Sequence, residues 1–387
     1  MYKVKTMNSI AALGTDYLKD NGCEVGESVE NPHALLIRSA DIHSLGFGKN
    51  LLCIGRAGSG TNNIPIDKCT ENGIAVFNAP GANAEAVKEL TLCSLVMSSR
   101  DVLGSIDWTR SIADCGDKIP EMVEKSKSSF IGPELFGKTL GVIGLGACGA
   151  LIANAARDLG MSVYGYDPFI SVHSAWRLER EVRYSESLSY VLKVSDYISL
   201  NVPYTKKTHH MIDREALGQM KDGVRIINES RAEVVDDDAM AEALDCGKVF
   251  KYVTDFPNEK ILTAPNVIAM PHIGASTPES EEKCALMAAR SIYEYLVNGN
   301  IKNSVNFPDT FLDREGNCRL CIFHRNVPNM INSFLDYVSE RNINVENMIN
   351  KASGNEAYTI MDLGCRIDGD IVEKIAGDKN VIRIRML

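Results

Sequence analysis

The stretch GVIGLGACGA, residues 141–150, sets glycines at 144, 146 and 149 in the spacing G-x-G-x-x-G. Thirty glycines in 387 residues make that spacing a weak signal alone. Its surroundings carry the weight. TLGVIG before it is a short apolar strand, and LIANAARDLG after it has the spacing of an amphipathic helix that ends at Gly160. Between a strand and a helix, Gly144 allows the tight turn and Gly146 lets the backbone approach a pyrophosphate. Gly149 then lets the helix pack closely on the sheet. The pyrophosphate sits at the helix N-terminus, where unpaired amides and the dipole favour an anion. The completing feature is an acidic residue about 20 positions on, and Asp167 ends the next strand, MSVYGYD. Its carboxylate would accept from ribose hydroxyls and repel a 2′-phosphate, so NAD is preferred over NADP.

Working outward, DYISLN (196–201), VRIIN (224–228), KYVTDF (251–256) and NVIAMP (266–271) read as further strands with helical stretches between most of them. Short apolar strands alternating with helices predict a parallel sheet covered on both faces. LLIRSA, NLLCIG and IAVFNAP repeat the alternation on a smaller scale within the first 100 residues, followed by the helix NAEAVKELTLCSLVMSSR. A long helix around 277–297 follows the last central strand, which suggests that the chain returns there to the first domain. Residues 318–387 read strand, helix, strand, strand, helix, strand, a small α+β unit. The expected division is therefore 1–100 plus 277–308, then 101–276, then 316–387.

Composition narrows the function classes. A net charge of −10 argues against nucleic acid or an anionic membrane as partner. No apolar run approaches the roughly 20 residues that span a bilayer, and MYKVKTMNSI lacks the apolar segment of a secretory signal. The expectation is a cytoplasmic protein acting on a small molecule. The 11 cysteines are scattered and read as small buried hydrophobes. Cys318 and Cys321 form C-x-x-C with His324 nearby, but no second ligand pair follows at zinc-site spacing, so no metal is assigned. His209 and His210 read as an exposed loop pair.

The landmarks IGRAGSGTNNI (54–64), VFNAPGANAEAVKELT (76–91), the glycine fingerprint with YDP, INESRAEVVDDDAM (227–240), PHIGAST (271–277) and VNFP (305–308) together resemble the D-isomer-specific 2-hydroxyacid dehydrogenases. The resemblance covers nearly the whole chain. It implies a Rossmann-type doubly wound domain, a discontinuous flavodoxin-like substrate domain and a ferredoxin-like C-terminal module of the ACT type. It assigns His272 as acid/base, Arg231 as the substrate-orienting arginine and Glu259 as the histidine's carboxylate partner. Physical chemistry agrees with those types. Histidine suits proton removal near neutrality as hydride leaves the same carbon. An arginine grips a carboxylate in two-pronged fashion, and a glutamate holds the imidazole's tautomer.

Also by resemblance, Asp255 contacts the nicotinamide amide, and Cys148, Pro203 and Gly274 line the cofactor. Glu259 falls four positions after Asp255 where relatives often have five, as a loop shortened by one residue would give. Ala232 stands where glycine is usual, and Asn201 replaces a frequent histidine. Arg38 and Ser39 in LLIRSAD, with Arg56 and the amides near Gly58, are the expected substrate anchors. Two cationic anchors fit a phosphorylated hydroxy acid, held in a cleft that closes to exclude water. In the C-terminal module His324, Asn326 and Asn344 fall where serine-sensitive relatives hold their effector, and Asn329 replaces a usual glycine. The resemblance implies at least a homodimer, and module pairing extends it to a tetramer. Two other readings use the same fold: a reductase of unphosphorylated 2-keto acids and an NAD-sensing corepressor-like binding module.

Overall fold

The computed structural model describes residues 1–387 and divides into two compact units, Met1–Asn83 with Pro278–Leu387, and Ala84–Thr277. The first unit opens with five parallel strands: β1 (Lys3–Met7), β2 (Glu24–Gly26), β3 (Ala34–Ile37), β4 (Cys53–Arg56) and β5 (Ala75–Phe77). Their order is β2-β1-β3-β4-β5, the flavodoxin-like arrangement. β3, β5 and β4 up to Arg56 are apolar runs because helices cover both faces. β1 is different: KVKTM alternates, burying Val4 and Thr6 and leaving its lysines half-exposed.

The second unit carries seven parallel strands: β6 (Thr139–Ile143), β7 (Ser162–Tyr166), β8 (Arg183–Tyr184), β9 (Tyr197–Leu200), β10 (Val224–Asn228), β11 (Val249–Thr254) and β12 (Val267–Ala269). The order β12-β11-β10-β9-β6-β7-β8 reverses between β6 and β9, and such a switch point is where doubly wound sheets bind ligands. The helix Ala84–Ser99 packs on β10, β11 and the helix Ala147–Asp158. It therefore belongs to this unit, which moves the expected boundary from residue 100 to residue 83.

The last four strands, β13 (Cys318–Arg325), β14 (Val345–Ser353), β15 (Glu356–Leu363) and β16 (Val381–Met386), form an antiparallel sheet ordered β14-β15-β13-β16. With two helices, Met330–Ser339 and Gly369–Ala376, it has the expected βαββαβ order. It has a core of its own, from Cys318 to Ile375, and groups with the first unit. Phe323, Tyr358 and Ile360 share one core with Phe77, Ile292 and Tyr295. Arg383 donates to the carbonyls of Leu51 (2.5 Å) and Lys49 (2.6 Å), and Arg385 to those of Tyr295 and Leu296. Arg319 and Asp362 form a fully buried two-pronged ion pair at 2.6 and 2.7 Å, and Arg319 also donates to the Asn298, Leu312 and Asp313 carbonyls. β13 is buried on both faces, so Cys318 and Cys321 lie in two different cores.

Candidate active site

The glycine loop follows β6 and leads into the helix Ala147–Asp158, as the spacing requires. Gly144 has φ +90°, and a Cβ on Gly149 would lie 1.9 Å from the Gly144 carbonyl oxygen, so turn and helix can close only with glycines. A Cβ on Gly146, by contrast, would meet nothing within 4 Å, which leaves open space where a phosphate approaches. Asp167, just beyond β7, accepts from the amides of Leu145 and Phe169, both at 2.9 Å. Those bonds fix its carboxylate beside the loop. The Cys148 side chain turns towards the core below, and burial pushes its thiol up to about 11, so only its backbone amide is offered to a phosphate. Pro203 is exposed, with its carbonyl accepting from Thr208 at 2.7 Å.

Three neighbouring parallel strands deliver the chemical groups. β10 and β11 end in register at Asn228 and Thr254, and β12 pairs Ala269 with Thr254. Glu229 and Asp255 are thus the first residues past adjacent strand ends, with His272 a short step beyond β12. Asn228 pins the loop after β10: its side chain donates to the Arg231 carbonyl (2.9 Å) and accepts from Ser230 (2.8 Å). Arg231 is half-buried, and its guanidinium donates to the Ser230 carbonyl at 2.5 Å. His272 is exposed, with its ring 4.5 Å from that of Phe256.

Asp255 is buried. Its Oδ2 accepts from the Gly274 amide at 3.0 Å, whereas its Oδ1 has no partner. Burial pushes its carboxyl up, opposed by the Gly274 bond and by the charge of His272. An orphaned buried acceptor is costly unless a ligand satisfies it. The amide of a nicotinamide ring would supply the missing donor, and with the open face of Gly146 the residues present fit NAD.

Glu259 departs from expectation. It opens the short helix Glu259–Thr263, capped by Asn258, and lies exposed beside Asp237, Asp238 and His210. The histidine ion pairs of the chain are His43–Asp41 and His210–Asp236, so Glu259 is not joined to His272. The helix cap at Asn258 turns its side chain elsewhere, and the carboxylate whose charge meets His272 is Asp255.

In the first unit, Arg38 and Arg56 stand at the carboxyl ends of adjacent strands, since Ile37 pairs with Arg56. The Arg38 guanidinium pairs with Glu281 at 2.5 Å, both half-exposed. Arg56 donates to the Arg38 carbonyl at 3.1 Å and lies over Gly58, leaving no room there for a Cβ. Ser39 is exposed.

The effector set is not brought together within one chain. His324 is buried, with Nδ1 2.9 Å from the Arg325 carbonyl and Nε2 2.9 Å from the Thr359 hydroxyl. Asn326 donates to the Gly354 carbonyl at the β14–β15 hairpin. Asn344 precedes β14 at its other end, where Val345 pairs with Leu363, whereas His324 pairs with Ala357.

One residue escaped the sequence reading: Glu229. Its carboxyl is largely buried, 2.6 Å from the hydroxyls of both Thr91 and Ser94 on the helix Ala84–Ser99. The signal available was a carboxylate directly after an apolar strand, with two hydroxyls three residues apart on a helix.

Residues 104–274 match the model of the D-isomer specific 2-hydroxyacid dehydrogenase NAD binding domain. The chain is 30% identical over 400 residues to D-3-phosphoglycerate dehydrogenase of Haemophilus influenzae, covering 99% of this chain and 93% of that one. It is 36% identical over 287 residues to hydroxypyruvate reductase of Thermotoga maritima, covering 70% and 88%. Among solved structures, NAD-bound 3-phosphoglycerate dehydrogenase of Entamoeba histolytica aligns with TM-score 0.62 and 25% identity, over 80% of this chain and 99% of that one. The chain belongs to the D-isomer specific 2-hydroxyacid dehydrogenases. It is an NAD-dependent oxidoreductase.

Proposed function

We propose that this enzyme oxidises 3-phosphoglycerate to 3-phosphohydroxypyruvate, the first step of L-serine synthesis. The observation that carries this reading is coverage: similarity to the Haemophilus phosphoglycerate enzyme runs through 99% of the chain, that to the Thermotoga reductase through 70%. NAD, held by the Gly144–Gly149 loop and Asp167, would supply the hydride acceptor for C2. His272 takes the C2 hydroxyl proton, which its exposure at the carboxyl end of the sheet leaves it free to do. Arg231 orients the substrate carboxylate by a charge-assisted pair. Arg38 and Arg56 supply positive charge for a second anionic group, with Glu281 as the counter-ion that a phosphate displaces from Arg38.

Further parts of the reading are an assembly of at least two copies, a cytoplasmic location and L-serine as effector. Exposed Ile131 and Phe136 support the first. Eleven free cysteines support the second. The βαββαβ module supports the third, with His324 held inside it as a structural residue.

The rival reading, a hydroxypyruvate reductase, is favoured by the 36% identity to the Thermotoga enzyme. The test follows NADH oxidation with 3-phosphohydroxypyruvate and with hydroxypyruvate, each with and without L-serine. A strong preference for the phosphorylated acid supports the proposal. Equal rates sink it, and rates insensitive to serine remove the effector.

A further inference from the structure

Glu229 is a buried carboxyl that the reaction does not use. It stands beside Asp255, one residue past the neighbouring strand end. Thr91 has a single hydroxyl proton and two acceptors within reach, the Val87 carbonyl at 2.9 Å and Glu229 Oε2 at 2.6 Å. A proton on Oε2 resolves the shortage: the acid donates to Thr91, Thr91 donates to Val87, and Ser94 donates to Oε1. Burial above all pushes this carboxyl up to about 7. The Asp255 charge adds to the rise, and the two hydroxyls oppose it.

The charged groups around Glu229 are few. Asp255 faces it from the end of β11, His272 lies beyond β12, and Arg231 on its own loop is turned to the Ser230 carbonyl. The helix Ala84–Ser99 meets it with hydroxyls, and the charges on that helix are Lys88 and Glu85, which pair with each other, and the exposed Glu89.

We propose that Glu229 is a positioning residue that tunes the nicotinamide site by holding or releasing one proton. Neutral, it leaves Asp255 as the single anion at this sheet edge. Ionised, it adds a second buried negative charge, which opposes Asp255 and favours the positively charged oxidised ring over the neutral reduced one. A rise in pH through neutrality therefore shifts the enzyme's cofactor preference from NADH towards NAD. By linkage, the Glu229 carboxyl must hold its proton less tightly in the NAD complex than in the NADH complex. The inference rests on the reading that Asp255 faces the nicotinamide.

The test measures Kd for NAD and NADH on the full chain by fluorescence from about pH 6 to about pH 9. In the unaltered protein the ratio Kd(NAD)/Kd(NADH) falls across this range by about fivefold or more. Glu229→Gln, neutral throughout, loses most of that fall. Ser94→Ala removes a donor that favours the ionised form and moves the midpoint to higher pH, a second readout that does not depend on the Gln variant folding. A full pH response in Glu229→Gln, or an unmoved midpoint in Ser94→Ala, overturns the inference. If Asp255→Asn leaves both affinities unchanged, the failure lies instead in the placement of the nicotinamide.

Discussion

The Gly274 amide donates to Asp255 Oδ2 at 3.0 Å, while Oδ1 of the same buried carboxylate has no partner. One oxygen ties β11 to the loop after β12, and the other is left for a ligand. Asp255→Asn keeps the shape but loses the second charge-assisted acceptor. NADH affinity is expected to fall about tenfold to a hundredfold, the worth of one hydrogen bond to a charged group. Burial holds the Asp255 carboxyl above its ordinary range, so removing the charge does not destabilise the cofactor-free protein. Fluorescence titration and a melting curve together check both halves, and a collapsed melting temperature would assign Asp255 a structural role.

His272 and Glu259 are predicted to behave unequally. Loss of a general base costs about 10²- to 10⁴-fold in turnover, so His272→Ala should fall in that range while binding NADH nearly as before. Its exposure means little stability is at stake. Glu259 makes no ion pair with His272, and its helix-opening position points it towards an acidic neighbourhood. Glu259→Gln is therefore expected to slow turnover by less than about tenfold. A loss as large as that of His272→Ala would show that the loop rearranges to bring the carboxylate to the histidine.

This contrast marks where the sequence stops being legible. VRIIN coincides with β10 because five residues of strand pattern between turn signals leave little freedom. The glycine loop was equally plain, since its spacing is dictated by steric contacts that φ +90° at Gly144 and the close approach at Gly149 make visible. β1 went unread because two of the five residues of KVKTM are lysines, although its alternation is that of a strand with one covered face. Glu259 misled because counting residues along a loop does not say that Asn258 caps a helix and swings the next side chain away. Glu229 was hidden for a related reason. Its meaning depends on Thr91 and Ser94, more than 130 residues earlier, and only packing of their helix on β10 joins the three.

Asp167 is expected to decide between the two dinucleotides. Its carboxylate is fixed by the Leu145 and Phe169 amides, so it cannot swing aside for a 2′-phosphate. Asp167→Ala is expected to weaken NADH and improve NADPH, changing the ratio of kcat/KM values by about tenfold or more. The two lost bonds also cost about 1–3 kcal/mol in stability. Parallel initial-rate assays with the two cofactors test it, and an unchanged ratio would remove Asp167 from the ribose site.

The Arg319–Asp362 pair is fully buried and joins β13 to β15. Removing one partner strands the other charge, so Asp362→Asn is expected to cost about 3–5 kcal/mol. Arg319 also donates to the Asn298, Leu312 and Asp313 carbonyls, so the damage should reach the end of the long helix Pro278–Asn298. Urea unfolding measures the loss, and hydrogen exchange locates it. A loss below about 1 kcal/mol would mean that water enters to solvate the remaining charge.

Glu229 also makes a stability prediction that needs no cofactor. Its folded-state pKa is raised from 4.5 to about 7, mainly by burial. At acid pH, below 4.5, the carboxyl is protonated in both folded and unfolded chains and contributes no difference. As pH rises from there towards about 7, the unfolded chain releases the proton while the folded chain keeps it. The unfolded state is thereby favoured, and stability is lost. Above about 7 both forms are ionised and the loss levels off. Over the whole window it amounts to about 3 kcal/mol as an upper figure. Glutamine does not titrate, so the stability of Glu229→Gln relative to the unaltered protein should climb across this window and then stay flat. Melting temperatures in a pH series give the answer. A constant offset from acid to alkaline pH would mean that Glu229 binds its proton equally well in the folded and unfolded chains, and that near neutrality Thr91 and Ser94 both donate to a carboxylate.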